Sequence, residues 1–126
     1  MIDCVAIVGA SADRSKFSNK AVRAFVQKGW TVFPVNPKAK EIEGLPSYAS
    51  IADVPARVHC VSMYVPPEAG RHMLAAVAAH SPREFFLNPG SGDDALIEEA
   101  KALGLAPIQA CSIVGIGLRP DMFPDE

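Results

Sequence analysis

Short apolar runs recur along the chain at Val5–Val8, Thr31–Val35, Val58–Tyr64, Glu84–Leu87 and Ala106–Gln109, and stretches with helical spacing separate most of them. Runs of this length, continuous rather than alternating, predict strands covered on both faces, so the sheet is expected to be parallel and doubly wound. The first helix opens near Phe17-Ser18, places Ala21, Val22, Phe25 and Val26 on one face, and stops at Gly29. From Pro67 to about His80 the pattern predicts one helix with Met73, Leu74, Val77 and Ala78 facing the core. From about Asp93 to Leu103 it predicts another, with acids in its first turn, Leu96, Ile97 and Ala100 inward and Gly104 as the stop. The expected architecture is an α/β fold with a mainly parallel five-stranded sheet in the order 3-2-1-4-5, helices on both faces and a crevice between the first and fourth strands.

The connection from Asn36 to Pro55 breaks this rhythm. Pro37, Gly44, Pro46 and Pro55 leave room only for a short helix near Ser50–Asp53, and a long loop in a small domain is more often functional than accidental. The segment Arg119–Glu126 reads as a polar tail, either mobile or laid over a neighbour, and the apolar stretch Ile113–Leu118 reads as a final edge strand or a surface for another subunit.

With 126 residues, 49% apolar and 21% charged, the chain fits one globular domain and is too apolar for a disordered segment. Its apolar runs are far shorter than the ~20 residues that cross a bilayer. Asp3 interrupts the start and no signal peptide is expected, so the cytoplasm is the expected compartment. Cys4, Cys60 and Cys111 are odd in number and far apart, and are expected as free thiols. His59, His72 and His80 lack metal-site spacing, and no metal is expected.

Charge is unevenly placed. Arg14, Lys16, Lys20, Arg23, Lys28, Lys38 and Lys40 fall in the first forty positions, opposed only by Asp3 and Asp13, while the rest of the chain is acidic. Such a pattern suits a local anion site better than a nucleic-acid surface. Lys20, Arg23 and Lys28 are also readable as the solvated face of the first helix.

The first strand, Cys4–Val8, runs directly into Gly9-Ala10-Ser11 and then into a helix. In an open α/β sheet this junction aims backbone N–H groups and a helix start at an incoming phosphate. Dinucleotide dehydrogenases carry G-x-G-x-x-G here and an acid at the end of the second strand to hold the ribose hydroxyls. This chain has Gly9 to Ser15 without the later glycines, and Val35-Asn36-Pro37-Lys38 in place of the acid. Ser11 and Ser18 can add hydroxyl donors, Arg14 and Lys16 charge, and Lys38 with Lys40 would attract a ribose phosphate that an acid would repel. NADP and coenzyme A both meet that description.

The segments Val8-Gly9-Ala10-Ser11, Phe17-Ser18, Val35-Asn36-Pro37-Lys38, Gly44-Leu45-Pro46 with Tyr48, Tyr64-Val65-Pro66-Pro67 and Asn88-Pro89-Gly90 together resemble the CoA-binding domain family. These are Rossmann-like single domains similar to the nucleotide-binding part of the succinyl-CoA synthetase α subunit. The resemblance implies that Gly9 and Ser11, Ala12, Asp13 and Arg14 line the pyrophosphate, and that Lys38, or Lys40, meets the ribose phosphate. It also implies that Val35, Asn36 and Pro37 flank the adenosine, Tyr64, Val65 and Pro66 wall it, and Asn88, Pro89 and Gly90 lie near the pantetheine path. Proline after a strand also simply ends it, and Tyr64 also reads as core packing.

Two departures restrict what carries over. The synthetase's phosphohistidine belongs to a domain absent from this stretch, and no histidine follows His80. Relatives end the fifth strand in Asp-Arg-Cys, whereas this chain has Gln109-Ala110-Cys111-Ser112, so Cys111 reads as structural, with disulfide exchange against the CoA thiol as the alternative. No local motif assembles a catalytic constellation, and the expected function is binding of coenzyme A or an acyl-CoA, as carrier, sensor or partner subunit. A small NADP-binding oxidoreductase or redox sensor, and an interaction subunit with a vestigial site, are the alternatives. A homo-oligomer or a partner enzyme subunit is expected beside the small ligand, with no nucleic acid and no membrane.

Overall fold

A computed structural model describes residues 3–126. Its main sheet is built from β1 (Cys4–Val8), β2 (Thr31–Val35), β5 (Cys60–Met63), β6 (Glu84–Leu87) and β7 (Pro107–Gln109), all parallel. The strand order is β2-β1-β5-β6-β7. In the numbering of the five expected strands this is 2-1-3-4-5, which corrects the order 3-2-1-4-5: the third strand pairs with the first, not the second. Pro34 supplies the reason. Its carbonyl accepts the Tyr48 N–H on the outer side of β2, so the N–H that proline lacks would also face outward, and β2 can only be an edge. The topological switch, and with it the crevice, therefore lies between the first and third strands rather than the first and fourth.

Side chains alternate along β1. Val5 and Ile7 pack with Ala21, Val22, Ala24 and Phe25 of α1 (Phe17–Gln27), while Ala6 and Val8 pack on the other face with Leu74, Val77 and Leu96. Val26, expected inward, is 49% exposed, and Ala24 takes its place in the core. The second face is covered by α3 (Leu74–Ala79) and α4 (Asp94–Ala102), preceded by the short α2 (Pro67–Arg71). The expected single helix over 67–80 is thus two, broken at His72-Met73, with Gly70 in the last turn before the break. A Cβ at Gly70 would stand 2.7 Å from the Met63 sulfur, so close packing on β5 keeps a poor helix former at this point. Asp93 caps α4 by accepting the Leu96 N–H at 2.8 Å.

The loop from Asn36 to Pro55 contains an unexpected hairpin, β3 (Glu41–Ile42) with β4 (Leu45–Pro46). Glu43 and Gly44 at its tip both have positive φ, the conformation a two-residue hairpin turn demands. A 3-10 turn at Ile51–Asp53 matches the expected short helix.

The expectation of a final edge strand is overturned. The stretch after Cys111 is no strand: Ser112–Gly115 form α5, with Ile113 fully buried and only Val114 strongly exposed among its apolar residues. Glycine at 115 lets α5 approach the Phe86 ring, which a Cβ would meet at 2.9 Å. The tail is anchored on its own chain. Phe123 is buried against the α1 face, Lys20 Nζ lies 2.6 Å from Asp125 Oδ1, and Arg23 donates to the Pro124 carbonyl at 2.9 Å. Lys20 and Arg23 are therefore clamps rather than a solvated helix face, because the tail covers them; Lys28 alone of the three is exposed.

Phe25 is fully buried and meets Trp30 edge-on, with ring centroids 5.0 Å apart. Phe25→Ala is expected to lower the unfolding free energy by about 3–5 kcal/mol in urea titrations, since it removes the ring and leaves a cavity between α1 and the sheet; a loss below about 1 kcal/mol would contradict this packing.

Candidate functional site

The C-terminal ends of β1, β2 and β5 meet at Gly9. The Gly9 and Ala10 N–H groups both donate to the Val35 carbonyl, at 3.0 and 3.2 Å, which straps the turn to β2. These two donors are therefore spent inside the fold. Gly9 has φ +85, and a Cβ there would stand 2.8 Å from Val65 Cγ1 and 3.3 Å from the Tyr64 carbonyl carbon, so only glycine fits between the turn and the end of β5.

After the turn, local polar bonds shape Ser11 to Lys16. Ser11 Oγ accepts the Asp13 N–H at 3.0 Å, and Asp13 Oδ1 accepts from Ser15 N and Ser15 Oγ at 3.0 and 2.7 Å. The Ser15 hydroxyl, then its N–H, hold the Asp13 carboxyl below its ordinary value, so this residue is an anion braced within the turn. Ala12 and Lys16 are exposed and Ser18 is buried. Lys16 occupies the N-cap of α1 without a side-chain cap, leaving the helix start open to an anion. Arg14 turns away from the turn: it donates to the Glu126 carbonyl at 2.7 Å, and its Nε lies 3.5 Å from Glu43 Oε2.

Asn36 braces two loops at once. Its Nδ2 donates to the Ala10 carbonyl and its Oδ1 accepts the Lys38 N–H, both at 2.8 Å, so the phosphate turn and the Lys38 loop are held in one register. Around them lies a cavity of about 430 Å3 walled by Val8, Gly9, Val35, Asn36, Pro37, Lys38 and Val65. Lys38 stands at this cavity and Lys40 does not. Ala49–Ala52, His72, Met73 and Ala76 complete the walls and were not legible as site residues. The proline-rich loop was the only sequence signal for the first group.

Tyr64 and Val65 face opposite ways. Val65 walls the first cavity, whereas Tyr64 lies with Phe17, Asn88, Pro89, Cys111, Val114 and Pro120 around a second, of about 330 Å3. Pro66 is exposed and walls neither. Gly90 lies on a separate cleft of about 260 Å3 with Asn88, Pro89 and Gln109.

Beneath the second cavity is a buried polar network. Asn88 Nδ2 donates to the Met63 carbonyl and to Ser62 Oγ, both at 2.9 Å, and Asn88 Oδ1 accepts the Ser112 N–H at 2.8 Å. Ser62 Oγ and Ser112 Oγ are 2.7 Å apart, and Tyr64 Oη is 3.3 Å from Ser112 Oγ. Asn88 thus bonds within the fold. Ser62 and Ser112 were not singled out in the sequence, although a serine inside the apolar run Cys60–Met63 is itself a sign of a buried partner.

A protein-family model described as "CoA binding domain" matches residues 3–116. The ADP-forming acetate–CoA ligase I of Archaeoglobus fulgidus is 37% identical over 62 residues, which are 49% of this chain and 9% of the ligase. Among solved structures, a conserved hypothetical protein from Pyrococcus furiosus superposes with a TM-score of 0.79 and 26% identity, over 91% of this chain and 99% of that one. The dinucleotide-forming acetyl-coenzyme A synthetase 1 of Ca. Korarchaeum cryptofilum superposes with a TM-score of 0.75 and 25% identity, over 86% of this chain and 26% of the synthetase. This chain therefore matches only a fraction of the length of these ligases. Among the described residues no helix is long and apolar enough to cross a membrane.

Burial, only partly offset by the Ser112 hydrogen bond, pushes the Tyr64 phenol up from 10 to about 12. Burial likewise raises the Cys60 thiol above its ordinary value of 9. Both groups ionise in the unfolded chain before they do in the fold, so their contribution is intact below about pH 9 and is lost as pH rises. Tyr64 accounts for up to ~3 kcal/mol of that loss between pH 10 and 12. Unfolding titrations from pH 8 to 12 are expected to show this decline, with a shallower slope above pH 10 in Tyr64→Phe; equal slopes would contradict the burial of the phenol.

Proposed function

The chain belongs to the CoA binding domain family, and on that premise we propose that it binds coenzyme A or an acyl-CoA across the C-terminal edge of its sheet. The adenosine half occupies the cavity beside β2, the pyrophosphate lies over Ser11 to Ser18 at the start of α1, and the pantetheine arm passes Tyr64 toward Asn88 and Pro89. Lys38 meets the ribose phosphate.

The observation that carries this reading is the rim of the larger cavity. Where a nicotinamide-binding site needs an acid to hold ribose hydroxyls, Asn36, Pro37 and Lys38 wall the space, and Asn36 locks the lysine loop to the phosphate turn. A cation there favours a ligand whose ribose is phosphorylated. The uncapped start of α1 supplies a second site of positive potential for the pyrophosphate. Arg14, pledged to Glu43 and the tail, would reach a phosphate only by exchanging those partners, so Lys16 and the open helix start carry more of the role first given to it.

The module acts by binding, as carrier, sensor or partner of a catalytic subunit. The paired acids support this: Asp93 caps α4, and Glu99 forms a two-bond pair with Arg71 at 2.8 and 2.9 Å, away from both cavities. His59 and His80 use their Nδ1 atoms to accept backbone N–H groups of Cys4 and Val58. NADP shares the phosphorylated ribose, and an NADP-binding role is the second reading.

Thermal-shift measurements with CoA, dephospho-CoA, NADP and NAD separate the two. CoA at a hundred times its Kd is expected to add about 2.7 kcal/mol, a shift of several degrees, with NADP far weaker; a response to NADP without one to CoA would overturn the assignment. Lys38→Ala is expected to weaken CoA by about tenfold or more and dephospho-CoA less than twofold, the scale of one charge-assisted contact. Equal losses for both ligands would remove Lys38 from the ribose phosphate.

A further inference from the structure

The smaller cavity combines a mostly apolar wall with the side chain of Tyr64. Phe17 and Val114 at its mouth are 60% and 58% exposed, and Pro89, Cys111 and Pro120 continue the apolar surface. Such a hollow is at the lower end of the volume range of small-molecule sites. Its polar feature is Tyr64, the outermost member of the buried network.

Proton counting gives the direction of that network. The Asn88 amide is oriented by two backbone partners, since Nδ2 must face the Met63 carbonyl and Oδ1 must face the Ser112 N–H. Its second Nδ2 hydrogen is then donated to Ser62 Oγ. Ser62 is fully buried, its close remaining partner is Ser112 Oγ at 2.7 Å, and the Tyr64 phenol is a weaker neighbour. If Tyr64 donated inward to Ser112, the Ser112 proton would go to Ser62, and the buried Ser62 hydrogen would be left with only its weak contact to the phenol, a costly arrangement. The satisfied direction runs from Asn88 to Ser62, from Ser62 to Ser112, and from Ser112 to Tyr64 Oη. One proton is then left over, on the phenol, at the cavity wall.

We propose that this cavity is an acyl-group site in which Tyr64 donates a hydrogen bond to a thioester carbonyl, so that the protein binds short-chain acyl-CoA in preference to free CoA. A thiol is a weak acceptor and has no chain to bury, whereas a short acyl thioester supplies both the carbonyl and the apolar group. The neutral phenol persists through physiological pH, because burial opposes its ionisation. The cavity must also admit the end of the pantetheine arm, which restricts the acyl chain to a few carbons. This inference rests on the reading of the chain as a CoA-binding module.

Calorimetric titration of the full chain with CoA, butyryl-CoA and S-butyl-CoA, the thioether with CH2 in place of the carbonyl, tests it. Each buried methylene strengthens binding about fourfold, so butyryl-CoA is expected to bind at least tenfold more tightly than CoA, with S-butyl-CoA between them. In Tyr64→Phe the difference between butyryl-CoA and S-butyl-CoA is expected to vanish. The infrared stretch of a 13C-labelled thioester carbonyl should fall on binding to the natural protein and not to the variant. Butyryl-CoA binding no more tightly than CoA, or S-butyl-CoA matching butyryl-CoA on the natural protein, overturns the acyl site and leaves CoA binding standing. Failure of all three ligands to bind overturns the CoA reading itself. The comparison between the two butyl ligands needs no variant, so it decides the carbonyl contact even if Tyr64→Phe does not fold.

Discussion

The contact between Gly9 and the end of β5 organises the functional edge of this protein. The chain must turn at once from β1 toward α1, and it does so with a positive φ against Val65 and the Tyr64 backbone, where a single methyl group would collide. That closeness lets the Gly9 and Ala10 N–H groups share the Val35 carbonyl, tying three strand ends together. It also leaves Val65 and Tyr64 on opposite sides of the turn, so the crevice of the sheet is divided into two cavities of different character. A long ligand lying over the turn would have an end in each.

The two cavities differ because the two faces of the sheet differ. On the face shared with α2, α3 and α4 the strand ends are apolar, and the cavity's polar groups come from the loop after β2 and from His72. On the face shared with α1 and α5, alternation places Ser62, Tyr64 and Asn88 one above another, next to Ser112 at the start of α5. The buried members of such a cluster, Ser62, Asn88 and Ser112, must be bonded to be tolerated, and the backbone anchors at Met63 and Ser112 make it rigid.

Folding separates the basic residues of the first third of the chain. Lys20, Arg23 and Arg14 hold the C-terminal tail against α1, where Phe123 closes the core. Lys16 and Lys38 remain exposed near the open start of α1 and the larger cavity. Composition shows one basic cluster, and only folding separates the clamps from the cations left exposed. The tail thereby completes the α1 face as an integral layer of the fold.

Much of the architecture was legible in the chain. The five strands, the first and fourth helices, the parallel doubly wound sheet and the glycine turn follow from local patterns, because hydrophobic period and stop residues act over a few positions. The expected strand order 3-2-1-4-5 was incorrect, although Pro34 carried the clue in its missing N–H, because apolar content shows that a strand lies in the sheet and not which of its edges can take a partner. The hairpin at Glu41–Pro46 was missed because two-residue strands have no period, and the helix break at His72-Met73 because the apolar spacing runs on across it.

For the site, residue types and order pointed to the Gly9 turn and to Asn36-Pro37-Lys38, whose chemistry resides in the residues themselves. Only the tertiary structure decided what those groups are free to do. Asn36 and Asn88 bond within the fold, Arg14 faces the tail, Tyr64 joins a cavity other than that of Val65, and Ser62 and Ser112, fifty positions apart, share a hydrogen bond. The physical reason is that a polar group's role depends on which of its donors and acceptors are already taken, and the partners that take them come from distant segments brought together only when the sheet is assembled.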